Sequence, residues 1–320
     1  MPRVQLHPTR NGLARKFLTE SLSIPARLAL EKASVLLSLG DTSSVNPLVP
    51  HALFVQQAYV AYPHDWRFSA SPSLRAKMAL MSKYFRMGIK SVDRFVVQTQ
   101  FMRDGLCENW RIAPERVAVI PSSVDLAAID SVLLEKPVRS PSPHVVYVAS
   151  AAAHKHHQII PDMLRALDRH DVRCTLTLHR GDLPRMERRA RELGVLGQID
   201  FVGPRTFEEC LRLLATATLS VIPSLFESFG LGYYEALALG VPLVVADLPF
   251  AREACGPAAR YARWNSAEHY AGCVSELLAS ELDRQVLSAL AQRRFREIHV
   301  PWGDVADRFV AELSSIAGRG

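Results

Sequence analysis

Residues 221–242 read VIPSLFESFGLGYYEALALGVP. The apolar start, Val221-Ile222, is typical of the end of a buried strand, and the residues that follow, up to Gly230, are typical of a loop. A helix is then predicted to run to Leu239, where Gly240-Val241-Pro242 ends it. Strand, glycine-bearing loop and helix in this order form the repeating unit of parallel sheets covered by helices, so the stretch predicts an α/β fold.

The loop before this helix is suited to hold an anion. The backbone N–H groups of Ser228, Phe229 and Gly230, together with the helix dipole, would bind a diphosphate at the carboxyl end of the sheet. Glu227 lies in the loop and Glu235 on the second turn of the helix, so the two carboxylates reach two ends of one ligand. We expect Glu227 to accept hydrogen bonds from sugar hydroxyls and Glu235 from ribose hydroxyls. Taken alone, the pair is also compatible with one surface glutamate and one ordinary helix glutamate.

The rest of the chain repeats the alternation of short apolar strands with helix-length segments. In the first half we predict helices near Leu74–Met87 and Thr99–Glu108. A second series begins after a polar stretch with prolines, residues 135–143, and a terminal helix is predicted over Asp304–Ile316. The predicted strands are 35–39, 53–56, 94–97 and 117–120 in the first series, and 144–148, 174–178, 199–202, 219–222 and 243–245 in the second.

This restart predicts two Rossmann-like, doubly wound domains. We expect a short N-terminal domain over residues 1–135 and a nucleotide-sugar-binding domain over residues 136–302. The helix in residues 303–320 is expected to pack back on the N-terminal domain. With 320 residues, about half of them apolar, the chain is long enough for two such cores.

The stretch from residue 223 resembles the Glu-x7-Glu motif of retaining GT-B glycosyltransferases of family 4, the "glycosyl transferases group 1" family. That motif reads approximately Pro-Ser-x-x-Glu-Gly-Phe-Gly-x-x-x-x-Glu-Ala-x-x-x-Gly-x-Pro-Val, and here Ser228 replaces the usual glycine. The positions that match in register are Pro223, Ser224, Glu227, Phe229, Gly230, Glu235, Ala236, Gly240 and Pro242. The resemblance implies the GT-B fold, two Rossmann-like domains facing a central cleft.

The resemblance also implies roles for further residues. The segment 146–155 is similar to the first strand and loop of the family's donor domain, which makes Lys155 the cation for the diphosphate and, with Glu227, a catalytic residue. Ser150 stands where many relatives have an arginine. The remaining residues expected at the donor site are Ser228, Phe229, Gly230, Leu231, Glu235, Gly203, Pro204 and Arg205, the last three beside the nucleobase.

The N-terminal domain departs from the family pattern in two ways. Nothing before Val35 resembles the strand and glycine-rich loop with which family members commonly begin, so the domain is abbreviated. Many relatives also place a histidine near the transferred sugar, where this chain reads Phe54-Val55-Gln56-Gln57. Gln57 and His64 are therefore the acceptor-side candidates, with a core or loop role as the alternative for both.

Charge is unevenly distributed. Residues 1–140 hold 18 Lys and Arg against 11 Asp and Glu, whereas the rest of the chain holds 20 against 21. The basic excess lies in the N-terminal half and is compatible with an anionic membrane surface or an acidic substrate, or with a solvated surface that has no partner. Nucleic acid is not expected, because the basic residues are dispersed and lack an aromatic-interleaved stripe.

The sequence indicates a cytoplasmic protein, and the basic N-terminal half leaves open a peripheral position on the inner face of a membrane. It has no apolar run long enough to span a bilayer, no recognisable secretory signal, and five cysteines without a Cys-x-x-Cys pair. It also lacks Asp-x-Asp, and the histidines at positions 154, 156 and 157 have no carboxylate at ligand spacing, so no metal and no cofactor are expected.

These features predict a retaining glycosyltransferase that moves a sugar from a nucleotide-diphosphate sugar to a hydroxyl of a saccharide or lipid-linked acceptor. Polysaccharide or glycolipid synthesis is the expected setting. Two alternatives stay open at the level of sequence. One is a degenerate, non-catalytic interaction protein of GT-B fold, and the other is a sugar-nucleotide epimerase or phosphorylase on the same architecture.

Overall fold

The computed structural model describes residues 19–44, 46–62, 72–138 and 142–318. These residues form two compact units. The first unit runs to Pro121 and includes the end of the chain from Gly303, and the second contains Ser122–Trp302. Helix Leu126–Leu134 therefore belongs to the second unit, although the boundary expected from the sequence placed it in the first.

A parallel sheet of four strands forms the centre of the first unit. The strands lie in chain order, and Leu53 pairs with Phe95 while Val96 pairs with Ala118. Phe95, Val96 and Val97 are buried, which is typical of a strand covered on both faces. The strands are β1 (Leu36–Ser38), β2 (His51–Phe54), β3 (Arg94–Val97) and β4 (Val117–Val119).

Strand β2 starts two residues before its predicted start because a histidine is built into the sheet. His51 is fully buried, its Nε2 lies 2.9 Å from Ser38 Oγ, and its Nδ1 lies 3.2 Å from the Ser91 carbonyl oxygen. Burial lowers the pKa of His51 to about 4, so the ring is neutral near pH 7. A prediction based on apolar residues omits such a position.

Helices pack around this sheet where their sequences are amphipathic. Thr99 caps the helix after β3, since its side chain accepts a hydrogen bond from the N–H of Met102 at 3.2 Å. The two helices predicted in this half are confirmed, with ends shifted by one or two residues. The α-helices are α1 (Ile24–Leu30), α2 (Ala58–Ala61), α3 (Pro72–Gly88) and α4 (Gln100–Trp110).

The second unit is built on a larger parallel sheet whose strands are not in chain order. Its strands are β5 (His144–Tyr147), β6 (Arg173–Leu176), β7 (Ile199–Phe201), β8 (Leu219–Ile222), β9 (Leu243–Ala246) and β10 (Arg260–Ala262). They are ordered β10-β9-β8-β5-β6-β7, so the chain winds away from β5 in one direction and then returns to its other side with β8. This reversal between β5 and β8 makes the unit doubly wound.

Helices connect these strands, and the central strands are buried along their length. Glu135, just after α5, is paired with Arg212 of α8 at 2.8 Å, which ties α5 to the second unit. The helices are α5 (Leu126–Leu134), α6 (Ile160–Leu167), α7 (Pro184–Glu192), α8 (Phe207–Thr216), α9 (Leu231–Ala238), α10 (Pro249–Cys255), α11 (Ala267–Ala279) and α12 (Glu281–Ile298).

The terminal helix, α13 (Trp302–Ala317), is longer by a few residues than the predicted one. It packs within the first unit. The ring of Phe309 meets that of Phe54 edge-on at 5.3 Å, and Glu312 Oε2 lies 2.8 Å from Arg94 Nε. In the described part of the chain, no helix combines the length and the apolar character that crossing a membrane requires.

Candidate functional site

The reversal of strand order in the second unit brings two loops side by side. The segment after β5 carries Lys155, and the loop after β8 carries Glu227. Because β5 and β8 are hydrogen-bonded neighbours, both segments leave the same edge of the sheet at adjacent positions. Open parallel sheets bind their ligands at such a switch point.

The two predicted catalytic side chains are in direct contact. Lys155 Nζ lies 2.6 Å from Glu227 Oε1, and the side chains are only 23% and 10% exposed, respectively. Removing both charges from most of their water strengthens the attraction and raises the cost of leaving either one unpaired. Each charge therefore serves as the partner of the other.

Backbone and hydroxyl contacts hold the two loops together. The Tyr147 hydroxyl donates to the Lys155 carbonyl oxygen at 2.9 Å and lies 3.1 Å from Ser224 Oγ. Since a phenol has one proton, the Ser224 hydroxyl is the donor in the second bond. The N–H of Leu225 donates to the His154 carbonyl oxygen at 2.7 Å. The positions of Lys155 and Glu227 are thus coupled through this buried hydroxyl and one backbone bond.

The loop after β8 turns into α9 at a glycine. Gly230 caps the helix with φ +80°, in the left-handed region, without a side-chain hydrogen bond at the cap. A Cβ at this position would also lie 2.6 Å from the Tyr233 ring. Both the backbone conformation and the close packing therefore require glycine where the chain enters the helix.

Other predicted donor residues lie around these two loops. Ser228 is half-buried, and Leu231, on the first turn of α9, is 46% exposed. Phe229 is buried and stacks on Tyr234 at 4.1 Å, so its side chain belongs to the core and only its backbone remains for a ligand. Ser150 is exposed in the segment after β5.

Glu235 lies on the second turn of α9, as predicted, and is half-buried. Burial raises the pKa of its carboxyl group, and the Lys155 ammonium opposes that shift. Within the described residues, its carboxylate has no hydrogen-bond or ion-pair partner. The Glu235 carboxylate is thus close enough to interact with the charge of Lys155, and its oxygens can still accept hydrogen bonds.

The predicted nucleobase loop follows β7 at the same edge of the sheet. Gly203 has φ +75°, and a Cβ there would lie 3.0 Å from the His179 imidazole. Pro204 and Arg205 are exposed beside it. His179 was not predicted from the sequence. Its position directly after the predicted strand 174–178 was the available signal, because such sheets bind ligands at the carboxyl ends of their strands.

In the first unit, Gln57 is exposed and follows β2. Its N–H and that of Gln56 both donate to Asp41 Oδ1, at 2.8 and 2.6 Å. Asp41 is buried and adopts φ +61°, and it was not predicted. The pair Gly40-Asp41 after a predicted strand was the available signal. His64, the other acceptor-side candidate, lies outside the described residues.

Three histidines surround Lys155 in the chain. Burial lowers the pKa values of His154 and His156, and it lowers the pKa of His157 to about 3. Among the described residues, no group of three or more His, Cys, Asp or Glu side chains is placed to hold a metal ion. His157 instead packs its ring against Tyr147 at 4.6 Å, with neither ring nitrogen hydrogen-bonded.

A doubly wound sheet with two facing loops and two ionic side chains at its switch point defines a Rossmann-like ligand-binding unit, and the two α/β halves of the chain have the GT-B architecture. The family pattern "Glycosyl transferases group 1" matches residues 135–294, and "Glycosyltransferase Family 4" matches residues 6–128. The chain belongs to the glycosyl transferases group 1 family.

Known proteins resemble it as follows. The "MMP alpha-(1->4)-mannosyltransferase" of Mycolicibacterium hassiacum is 26% identical over 273 residues, which are 82% of this chain and 63% of that protein. Sucrose-phosphate synthase from Thermosynechococcus elongatus has a TM-score of 0.75 at 16% identity, covering 92% of this chain and 76% of that one. Anabaena HepE, solved in complex with UDP, has a TM-score of 0.70 at 15% identity, covering 91% and 82%.

The Tyr147 hydroxyl is expected to position Lys155. Tyr147→Phe leaves the Lys155 carbonyl without its buried donor, whereas Ser224→Ala removes a hydroxyl from the same buried layer and keeps that donor. Each change should cost about 1–3 kcal/mol of stability. Only Tyr147→Phe should weaken the binding of UDP or GDP, by roughly tenfold, measured by calorimetry. Equal losses of affinity in both variants would show that the hydroxyl acts on stability alone.

Acid should destabilise the second unit through His157. Its pKa is about 3 in the folded protein and 6.5 when unfolded, so protons bind only the unfolded chain between these values. Stability is therefore lost as the pH falls below about 6.5. From pH 6.5 to 5 this loss is about 2 kcal/mol for one such group.

Urea unfolding of His157→Phe should show a correspondingly smaller loss over the same interval. The exposed His170, replaced by Gln, serves as the control and should lose as much stability in acid as the native protein. An unchanged acid slope in His157→Phe would contradict this account.

Proposed function

We propose that this protein is a retaining glycosyltransferase that moves a sugar from a nucleotide-diphosphate sugar to a hydroxyl of a saccharide or lipid-linked acceptor. The proposal is carried by the contact of Lys155 with Glu227 at the switch point, beside the first turn of α9. The chain spans 63% of the length of the mannosyltransferase that it matches, so that protein's own activity is a guide to the class of reaction only.

Each group has a distinct task in this reaction. The Lys155 ammonium and the N-terminus of α9 neutralise the diphosphate, which leaves as an anion. When Lys155 turns to the phosphates, Glu227 is released to accept hydrogen bonds from the sugar hydroxyls. Glu235, with its free acceptor capacity, binds the ribose diol.

The chemical step is a substitution on one face of the sugar. The bond between the anomeric carbon and the diphosphate oxygen breaks, and the acceptor oxygen forms its bond on the same side. The acceptor's proton passes to a phosphate oxygen of the leaving group. The protein supplies orientation and electrostatic stabilisation, and no side chain forms a covalent bond.

The acceptor and the location of the protein are part of the proposal. The basic excess of residues 1–140 favours an acceptor held at an anionic surface, such as a lipid-linked saccharide in polysaccharide or glycolipid synthesis. We place the protein in the cytoplasm, on the inner face of a membrane.

Removing either charge of the central pair should abolish most of the activity. Glu227→Gln and Lys155→Met are each expected to lower turnover by 100-fold or more, roughly the effect of losing a preorganised charge contact. Nucleoside diphosphate release from a panel of UDP- and GDP-sugars measures this, and product analysis with and without acceptor separates transfer from epimerisation. The matched control is Glu135→Gln with Arg212→Met, an exposed ion pair in the same unit.

The double variant separates a binding role from a structural one. If Lys155 and Glu227 only neutralise each other, removing both restores activity, because no unpaired charge remains. If they bind the donor, the double variant is at least as inactive as either single variant. Recovery of turnover in the double variant would refute the site assignment.

Transfer is expected to proceed without a metal ion, since the phosphate charge is met by Lys155 and the start of α9. Dialysis against EDTA should leave donor turnover within about twofold of the untreated protein, because no ion contributes to the barrier. A loss that is restored by added Mg²⁺ or Mn²⁺ would overturn this part of the mechanism.

A further inference from the structure

Two buried tyrosine hydroxyls of the second unit have no hydrogen-bond partner among the described residues. They belong to Tyr233, in the first turn of α9, and to Tyr270, near the start of α11. Tyr233 is 1% exposed and Tyr270 is 0% exposed. A buried hydroxyl without a partner is costly, because it has given up its hydrogen bonds to water. Each of these two side chains therefore keeps a donor for which the fold supplies no acceptor.

Tyr233 lies beside Glu227. Both side chains border the point that a Cβ would occupy at Gly230. The nearest carbon of the Tyr233 ring lies 2.6 Å from this point, and Glu227 Cβ lies 3.5 Å from it. The sum of these distances is the most that can separate the two atoms, so the ring and the glutamate side chain are close neighbours. The Tyr233 N–H donates to the Gly230 carbonyl oxygen at 2.9 Å, which fixes this turn.

The charge of Glu227 acts on the Tyr233 hydroxyl. Burial raises the pKa of Tyr233 well above its ordinary value, and among the neighbouring groups the Glu227 carboxylate adds most to the rise. The phenol therefore stays protonated and remains a donor. The Glu227 charge also raises the pKa of Tyr147, but that hydroxyl already donates its proton to the Lys155 carbonyl oxygen.

Glu227 needs another donor once its cation is engaged elsewhere. Lys155 Nζ lies 2.6 Å from Glu227 Oε1, and the glutamate side chain is only 10% exposed. In the proposed reaction Lys155 turns to the diphosphate, which leaves a mostly buried carboxylate without its ion pair, at a cost in free energy. A carboxylate has about four acceptor positions, so one donor from the protein leaves room for the sugar hydroxyls.

We propose that Tyr233 is a positioning residue whose hydroxyl donates a hydrogen bond to the Glu227 carboxylate when Lys155 turns to the diphosphate. The bond keeps Glu227 ionised and in place while its cation is engaged with the donor. Tyr233 itself touches no substrate atom. This role rests on the proposed function, because it requires that Lys155 changes partners on binding.

Tyr233→Phe tests the role, since it removes the hydroxyl and keeps the ring. Because the hydroxyl has no partner in the described structure, the urea midpoint should stay unchanged or rise. The same variant should bind a nucleoside diphosphate about tenfold more weakly, the loss expected for one hydrogen bond to a charged group. Calorimetry measures this with whichever of UDP, GDP, ADP and dTDP the native protein binds most tightly. A purely structural hydroxyl would not give lower affinity at unchanged stability.

Tyr270→Phe is the matched control. It removes a hydroxyl that is equally buried and also has no partner, and the neighbouring group that adds to the rise of its pKa is Cys273 rather than Glu227. Its urea midpoint should likewise stay unchanged or rise, but its nucleotide affinity should remain within about twofold of the native value. An equal loss of affinity in both variants would overturn the role of Tyr233.

A double-mutant cycle with Glu227→Ala identifies the acceptor. Once the carboxylate is gone, adding Tyr233→Phe should change nucleotide affinity by no more than about twofold. A further tenfold loss would show that the hydroxyl acts through another group, and it would refute the inference. Native affinity in Tyr233→Phe, or a lower urea midpoint, would refute the inference alone. A native protein that binds none of the four nucleotides would refute the proposed function as well.

Discussion

The hydroxyl of Tyr147 joins the two halves of the candidate site. It lies at the end of β5, is almost completely buried, and bonds to both the segment after β5 and the loop after β8. These segments are far apart in the chain but leave neighbouring strands, so their relative position depends on contacts of this kind. The backbone hydrogen bond from the Leu225 N–H to the His154 carbonyl oxygen also holds these two segments together. Because the two loops are fixed in this way, the Lys155 and Glu227 side chains are held in contact.

The contact between Lys155 and Glu227 lowers the cost of burying both charges. A half-buried ammonium and a half-buried carboxylate are each costly alone, and together they neutralise each other. In the reaction proposed above, a diphosphate and a sugar supply the same two partners, an anion for Lys155 and hydroxyl donors for Glu227. Donor binding as proposed therefore exchanges one set of partners for another and leaves neither charge unpaired. Glu235 differs, because its carboxylate has acceptor capacity without a protein partner in the described residues.

The parts of the structure that depend on runs of apolar residues were predictable from the sequence. Leu219–Ile222 and Arg94–Val97 were predicted with their observed bounds. Strand β10 was missed because Arg260-Tyr261-Ala262 is too short and too polar to stand out, and its identity as a strand comes from pairing with β9. The start of β2 was missed because His51 is stabilised by partners that are distant in the chain.

For the candidate site, the sequence predicted which residues to examine, and the structure shows which of them are in contact. The motif predicted that Glu227 and Glu235 contact one ligand, and the similarity of segment 146–155 added Lys155. The order of strands was needed to show that Lys155 and Glu227 touch. Asp41 of the first unit accepts hydrogen bonds through a buried carboxylate, and His179 of the second unit packs its ring on Gly203. Neither contact is visible in a linear pattern. Helix α3 shows how far apolar residues alone can predict burial. At 100° per residue, Met78 and Met81 lie on one side of the helix and are buried, whereas Leu80 and Met87 lie on the opposite side and are about half exposed. Apolar residues alone therefore do not predict which side of this helix is buried, and that side is decided by the surface on which the helix packs.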